Sequence, residues 1–419
     1  MVRVRPVSLE RLADLSLTYQ RLGLPSPARE YLLHKTPHLT LLLTELPREA
    51  GRFLRLLGVE SEAPGREEFP SFLAGDRASH ACTAVLAGRL EQFDRLVERL
   101  GLSEELRPLA RALSDALRNL AGPPAALFLG SRRLEFGTRT HVMGILNVTP
   151  DSFSDGGRYL APEDAVARGR ALAEAGADII DVGGASSRPG SEIVPAEVEL
   201  ERVVPVLRGL RACTDVPLSI DTFHAAVARE ALREGASLVN DISGFRFDAA
   251  MPGVVAEAGA ACCVMHIQGT PRTMQEAPSY PDLMEDVLGV VAAAVQQAEA
   301  AGVPRARILV DPGVGFGKTA GHNLFLLRRL EELRVLGLPV LVGTSRKGFL
   351  GALTGGKPAG ERLLATLTSI AALAARGSVD LVRVHDVAET REVLAVADAL
   401  REASEGGDLF RRTLLPPRP

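Results

Sequence analysis

The chain has 419 residues, 46% of them hydrophobic and 24% charged, with a net charge of −4. That length suits one large domain and one small one. Charges of both signs are interspersed, so the sequence offers neither a basic face for nucleic acid nor a polybasic run for a lipid surface.

The opening residues Met1 to Pro6 carry no apolar stretch of the signal-peptide kind. No window reaches the roughly 18 uninterrupted apolar residues of a membrane span, and a cytoplasmic protein is expected. The cysteines Cys82, Cys213, Cys262 and Cys263 have no metal-site spacing and are expected as buried thiols. Of the 48 Lys and Arg residues only Lys35, Lys318, Lys347 and Lys357 are lysines. Where arginine is used so freely, Lys318 and Lys347 point to places that need a compact ammonium on a flexible stem.

Residues 1–124 have a texture of their own. Leu9 to Gln20, Leu39 to Leu57 with a break at Pro47, Leu86 to Leu100 and Leu106 to Leu120 all repeat apolar residues at three and four, and Gly122-Pro123-Pro124 punctuates the chain. The pattern predicts a small, mainly helical domain with one or two strands. Its charged residues, Asp76, Arg77 and His80 among them, show no catalytic spacing and read as solvated faces. Ala126 to Leu129 and Arg133 to Phe136 then predict a hairpin within 125–140, placed to plug the bottom of the larger domain.

From Val142 onward short apolar runs alternate with amphipathic segments. The runs are Val142 to Val148, Asp178 to Gly183, Leu218 to Thr222, Leu238 to Ser243, Cys262 to Ile267, Ile308 to Gly313, Val340 to Thr344 and Leu381 to Val384. Helical segments come after them at Pro162 to Ala175, Ala196 to Ala212, His224 to Glu234, Pro252 to Ala258, Leu283 to Ala301, Asn323 to Leu336, Gly360 to Ala375 and Val387 to Leu400. Eight strand-then-helix units predict an α/β fold, a (β/α)8 TIM barrel over residues 125–410 with a flexible tail at 411–419; an open doubly wound sheet is the alternative. No dinucleotide fingerprint stands after the first strand, which disfavours that alternative.

A barrel of this kind builds its site at the carboxyl ends of the strands. The first strand runs into Asn147-Val-Thr-Pro-Asp-Ser-Phe-Ser-Asp-Gly-Gly157, a loop with more hydrogen-bonding capacity than a turn needs. Asp221, Asn240 and Asp311 are carboxylates and an amide at the ends of further strands, which suits a planar nitrogen heterocycle. Arg188, Arg383 and His385, with Asn147 nearby, suit a diphosphate carried with Mg²⁺. Asp181 and Asp241 read as orienting groups or ligands, and His266 as either a satisfied core histidine or a site residue. Gly313 to Thr319 imitates a P-loop, but Pro312 stands where that motif needs glycine.

With these residues assembled, the chain resembles the dihydropteroate synthases over roughly residues 125 to 405. The resemblance rests on the Asn147 to Gly157 loop, Gly183 to Gly190, Ser219 to Thr222, Asn240 to Gly244, Met265 to Gly269, Asp311 to Lys318, Ser345 to Lys347 and Arg383 to Val387, in that order. Residues 1 to about 120 resemble an amino-terminal extension of some bacterial members, to which no role is attached.

The resemblance implies that Asp221, Asn240, Asp311 and Lys347 hold a pterin. Asn147 would ligate Mg²⁺ on its diphosphate, with Arg188, Arg383 and His385 binding that group. Ser187, Pro189, Phe316 and Arg346 would border a p-aminobenzoate pocket where sulfonamides compete. Asp155, Asp221, Lys347 and Arg383 would serve catalysis, Asp155 by stabilising positive charge on the pterin. A homodimer formed through barrel helices is implied as well.

Two departures stand out. Ala185 and Ser187 replace the usual Glu and Thr of the second loop, leaving its internal support open, and Gly348 stands where some members have Ser, so that a backbone N–H would meet the p-aminobenzoate carboxylate. The rival readings are a methyltetrahydrofolate-dependent corrinoid methyltransferase, which has no use for the diphosphate set, and a non-catalytic pterin-binding paralogue.

Overall fold

The computed structural model describes residues 3–6, 39–59, 71–75, 82–88, 90–149 and 161–403. The expected helix at Leu9 to Gln20, the loop residue Asp155, the trio Asp76, Arg77 and His80, and the tail lie outside the described residues. Chain contacts divide the protein into two units, residues 1–123 with 331–337, and residues 124–330 with 338–419.

In the first unit, β1 (Arg3–Pro6), β2 (Leu39–Leu46), β3 (Ser71–Gly75) and β4 (Cys82–Gly88) form an antiparallel sheet in the order β1-β2-β4-β3. Helices α1 (Arg48–Val59), α2 (Leu90–Gly101) and α3 (Arg107–Leu120) accompany it. Leu39–Leu46 is therefore a strand rather than the first half of a helix, and Leu86 to Gly88 end a strand before α2 begins. β2 is a central strand whose Thr40 to Leu43 are all buried. A short continuous apolar run of that kind carries no period with which to tell strand from helix.

In the second unit, β5 (Leu127–Leu129) and β6 (Arg132–Leu134) form the expected hairpin. Eight parallel strands come next: β7 (His141–Asn147), β8 (Ile179–Gly183), β9 (Leu218–Asp221), β10 (Leu238–Asp241), β11 (Ala261–Met265), β12 (Ile308–Asp311), β13 (Leu341–Val342) and β14 (Leu381–Val384). They run in the order β12-β11-β10-β9-β8-β7-β14-β13, and a parallel bridge from Val310 to Val340 joins the last strand to the first. The sheet is thus a closed barrel, as the eight repeated units predict.

Around it stand α4 (Pro162–Glu174), α5 (Ala196–Arg211), α6 (Ala225–Arg233), α7 (Met251–Glu257), α8 (Leu283–Ala301), α9 (Ala320–Arg328), α10 (Gly348–Leu353), α11 (Leu363–Ala375) and α12 (Val387–Glu402). The single helix expected over Asn323 to Leu336 instead stops at Arg328 and continues as a 3-10 segment at Leu330–Leu336. Helix α10 has only six residues, too few for a periodicity to be read. Cys262 and Cys263 are buried thiols, but Cys213 is exposed, contrary to expectation, because it lies beyond the end of α5.

The amino end of the barrel is sealed by apolar side chains. Leu127, Leu129, Leu134 and Phe136 from the hairpin segment pack on Met143, Ile179, Leu238, Cys263, Leu309, Leu341 and Leu381 from the strands. Each such side chain contributes about 1.5–3 kcal/mol of burial, and their closure of this end leaves the opposite end to the polar groups.

Candidate active site

Strand register sets the first row of the site. Asn147 pairs with Gly183, Gly183 with Asp221, and Asp221 with Asn240, so these residues lie on one line across four adjacent strands. Side chains paired in register share a face of the sheet. The second position being glycine opens room, and Asn147 Oδ1 lies 3.6 Å from where a Cβ on Gly183 would stand.

Arg383 ties the acids together. Its Nε donates to Asp181 Oδ2 at 2.6 Å and its Nη2 to Asp221 Oδ2 at 2.7 Å. Asn240 Nδ2 donates to the same Asp181 oxygen at 3.0 Å. Asp181 is fully buried and orients both Arg383 and Asn240 from below. Burial works against the charge of Arg383, but Asp181 and Asp221 more than offset this and hold its pKa above the ordinary arginine value. For Asp221 burial is the larger effect: helped by Asp181 and Asp241, it lifts the carboxyl above the usual carboxylate range despite Arg383.

Asp311 is buried, and its Oδ1 accepts from Gly313 N at 2.6 Å, leaving Oδ2 as an acceptor for a ligand. Burial pushes its pKa up to about 6. Lys347 directly precedes α10, and its Nζ stands 4.1 Å from the centre of the Phe316 ring, a cation–π contact. Burial lowers its pKa to about 8, with Asp311 and Asp221 favouring its charge. Asp241 takes a structural part instead. It accepts from the backbone N–H groups of Ser243 and Phe245 and so fixes the turn after β10, where Phe245 has a φ of 65°.

Two residues left open by the sequence form a structural knot. His266 Nε2 meets Asp286 Oδ1 at 3.0 Å, and its Nδ1 meets Lys318 Nζ at 2.7 Å. Lys318 Nζ also donates to the carbonyls of Gly313 and Phe316. Both ring nitrogens are engaged, so His266 is a satisfied buried histidine, and burial drops its pKa to about 4. Lys318, lowered by burial to about 7, gathers the loop 313–318 that presents Phe316. The glycines of this loop meet a steric demand, not a phosphate. A Cβ on Gly313, at φ 70°, would stand 1.8 Å from the His266 carbonyl oxygen.

On the far side, His385 Nδ1 bonds Ser345 Oγ at 2.9 Å, and the same hydroxyl accepts from His385 N. With the serine hydroxyl donating to Nδ1, the ring proton would sit on Nε2, where it can be donated to an anion. Burial, aided by Arg346 and Arg383, lowers this histidine to about 3, so it is neutral at pH 7. Arg346 sits close by with a φ of 58°, but its guanidinium is paired with Asp386, Nε to Oδ2 at 3.1 Å. That pairing keeps the group most suited to a carboxylate partner already occupied.

The loop after β8 carries Ser187, which is partly buried, and Arg188 and Pro189, which are exposed. Its support comes from Arg202, whose Nη1 donates to Gly184 O at 2.7 Å, and from a Ser186–Ser191 hydroxyl bond at 2.9 Å. Ala185 therefore does not leave the loop unbraced.

The structure thus brings Asn147, Asp221, Asn240, Asp311, Lys347, Arg383 and His385 to one end of the barrel, with Phe316 under Lys347. It adds Asp181 as the hub and Ser345 as the partner of His385. Sequence reasoning gave no role to Thr222 or Glu199. Glu199 occupies the apolar stripe that continues through Val203, Val206, Leu207 and Leu210 of α5, and an acid on that stripe is the signal that marks it.

A family profile described as pterin-binding enzyme matches residues 143–385. The chain is 46% identical over 287 residues to the dihydropteroate synthase of a Synechocystis species, covering 68% of this chain and 98% of that protein. Among solved structures it resembles Yersinia pestis dihydropteroate synthase in a sulfonamide drug complex, at 42% identity and a TM-score of 0.63, over 67% of this chain and all of that one. It also resembles Burkholderia cenocepacia dihydropteroate synthase complexed with 7,8-dihydropteroate, at 44% identity and a TM-score of 0.60, over 66% of this chain and 97% of that one. The barrel, its register and these relatives agree, and the chain belongs to the dihydropteroate synthases of the pterin-binding enzyme family.

Proposed function

We infer that the barrel joins 6-hydroxymethyl-7,8-dihydropterin diphosphate to p-aminobenzoate, giving 7,8-dihydropteroate and diphosphate. The observation that carries this reading is the cluster of Asp221, Asn240, Asp311 and Lys347 beside Arg383 and His385. Acceptors and donors for a flat heterocycle stand next to donors for an anion.

The pterin ring takes the Oδ2 of Asp311 and the side chains of Asp221, Asn240 and Lys347, which match its ring N–H, amino and carbonyl groups. Departure of diphosphate from the pterin methylene leaves a cation delocalised into the ring. Asp221 and Asp311 lie where negative charge would stabilise it, and Asp155, from its place in the first loop, is proposed to add a third carboxylate. The leaving anion is received by His385 Nε2–H, by Arg188 and by Nη1 of Arg383, the guanidinium nitrogen not engaged with Asp181 or Asp221.

Asn147 fits a Mg²⁺ that keeps most of its ligands as water and substrate oxygens. Among the described residues no cluster of three His, Cys, Asp or Glu side chains forms a protein cage for an ion. When bound, Mg²⁺ would neutralise charge on the departing diphosphate.

The p-aminobenzoate amine is neutral and attacks the methylene, losing its proton afterwards. It needs positioning more than activation, and Ser187, Pro189 and Phe316 are proposed to give it. Arg346 can take part only from the edge of its pair with Asp386. With His266 near 4 and His385 near 3, neither histidine is a useful base at neutral pH, in keeping with a reaction that does not require one.

A homodimer is proposed on large apolar side chains left exposed on barrel helices, Leu353, Leu364, Val396 and Leu400 among them. A cytoplasmic setting is proposed on the free thiols of Cys213, Cys262 and Cys263, which suit a reducing compartment. No helix among the described residues is long and apolar enough to cross a membrane.

The deciding experiment tracks diphosphate release from the pterin diphosphate with Mg²⁺, with and without p-aminobenzoate, with Asp221→Ala as control. Release coupled to dihydropteroate formation and lost in the variant supports the synthase. Tight pterin binding without turnover would instead favour a non-catalytic pterin-binding protein.

A further inference from the structure

One buried acid beside this site has no part in the chemistry above. Glu199 is 1% exposed, on the inward stripe of α5. Its carboxyl is hydrogen-bonded to the side chain of Thr222, while its Oε1 has no partner. Thr222 comes directly after Asp221 and is itself buried. Its Oγ1 accepts from His224 N at 3.1 Å, and its backbone N donates to Asn240 O at 3.1 Å. Glu199 therefore reaches, through one hydroxyl, the turn that joins Asp221 to the start of α6 and is tied to the strand end carrying Asn240.

The same side chain lies beneath the second loop. A Cβ on Gly184 would stand 2.9 Å from Glu199 Cγ and 3.2 Å from its carbonyl oxygen, so Gly184 rests on Glu199 with no room between them. One residue thus backs both the end of β9 and the beginning of the loop that bears Ser187 and Arg188.

Its charge state is set by its neighbours. Asp221 faces it from β9, and Arg202 stands on its own helix; burial, with Asp221 adding to it, raises the carboxyl to about 8. The Thr222 hydroxyl accepts from His224 N and donates its own proton to the Glu199 carboxyl.

We propose that Glu199 is a positioning residue of this active site, its carboxyl holding Thr222, and through it Asp221, while its stem supports Gly184. The proposal rests on the pterin-binding reading of Asp221 given above. A residue acting in this way weakens pterin binding first when it is lost, and its loss slows the chemical step only as far as Asp221 is displaced.

The test compares Glu199→Gln, Glu199→Leu and Thr222→Val in the full chain. It reads the affinity for 6-hydroxymethylpterin by calorimetry, alongside kcat and the KM for each substrate. Glutamine keeps the size and a side-chain oxygen that accepts from Thr222, so the pterin Kd stays within about twofold of wild type. Leucine removes the bond and weakens pterin binding about tenfold, with a matching rise in the pterin KM and kcat within about threefold. Thr222→Val reproduces the leucine result, and the double variant is no worse than either single one, because both break the same link.

Unchanged pterin binding in both Glu199→Leu and Thr222→Val overturns the proposal, as does a glutamine variant as impaired as the leucine one, which would mean that the carboxylate is required. Should Glu199→Leu not fold, Thr222→Val and Glu199→Gln still decide. The calorimetric reading needs no turnover, so a wild-type chain that binds pterin without making product sinks the synthase reading and leaves this test intact. A wild type that binds no pterin sinks both.

Discussion

The two ends of the barrel use the same residue type, a largely buried aspartate, to opposite ends. At the amino end Asp178 Oδ2 accepts from Val142 N, Arg139 and Arg391. Burial alone would raise its pKa, but His141 beside it, the hydrogen bonds from Arg139 and Val142, and the charge of Arg391 more than offset it and hold the acid well below the usual range. Asp398 likewise takes both the N–H and the hydroxyl of Thr140, and Asp380 takes Val340 N. These acids close strand starts around the apolar plug of Leu127, Leu129, Leu134 and Phe136. At the carboxyl end burial prevails, and Asp221, Asp241 and Asp311 are all pushed upward. One end commits its carboxylates to stability. The other commits Asp241 to its turn but keeps Asp221 and Asp311 imperfectly satisfied, and that is where a ligand supplies what the protein withholds.

The sharpest way to break this contrast is to remove the cation at the functional end. Arg383→Ala leaves Asp181 and Asp221 facing each other without their partner, and kcat/KM should fall by roughly a thousandfold, from a loss of about 4 kcal/mol. Steady-state kinetics check it, and a fall below tenfold contradicts the assignment. At the opposite end Phe136→Ala should cost about 3 kcal/mol in denaturant unfolding and leave both KM values unchanged. A change in KM there would mean that the plug is not separate from the site.

Smaller effects refine the picture. Lys318→Met strips the donor from His266, Gly313 O and Phe316 O, and should cost about 2 kcal/mol of stability while raising the p-aminobenzoate KM more than the pterin KM. An unchanged ratio of the two KM values would detach Lys318 from the placement of Phe316. Asp178→Asn should lose about 1–2 kcal/mol at pH 7. Because the folded pKa of Asp178 lies below the unfolded one, its contribution is present above the ordinary carboxylate pKa and fades as the pH falls below it. The gap between variant and wild type should therefore narrow below about pH 4, and a gap independent of pH would mean that the ionised acid is not what stabilises this end.

Much of this contrast is legible in the sequence, and the rest is hidden for physical reasons. The barrel strands can be read because they are short apolar runs ending in polar residues, and Leu381–Val384 has the bounds its sequence suggests. Leu39–Leu46 misleads because a strand buried on both faces has no period, and α10 escapes because six residues are too few to show one. Among site residues, Asp221, Asn240, Asp311 and Arg383 stand out as polar groups at strand ends. The hub role of Asp181 depends on Arg383, 202 positions away, a contact that no local pattern encodes. Lys318 is singled out by its rarity, but its partners, His266 and two carbonyls, arise only from the fold. Asp155 lies outside the described residues, so its role rests on the motif alone.

That the carboxyl-end acids are kept for binding although they cost stability is tested most directly by Asp311→Asn. Asparagine keeps the bond from Gly313 N and removes the buried acid. The folded pKa of about 6 lies above the unfolded value of 3.8, so this group costs the wild type stability as the pH rises from about 4 to 6 and beyond. Asp311→Asn should therefore melt no lower than wild type at pH 7 while its affinity for 6-hydroxymethylpterin falls by about a hundredfold. A lower melting temperature with pterin affinity intact would contradict this, placing Asp311 with the structural acids of the amino end.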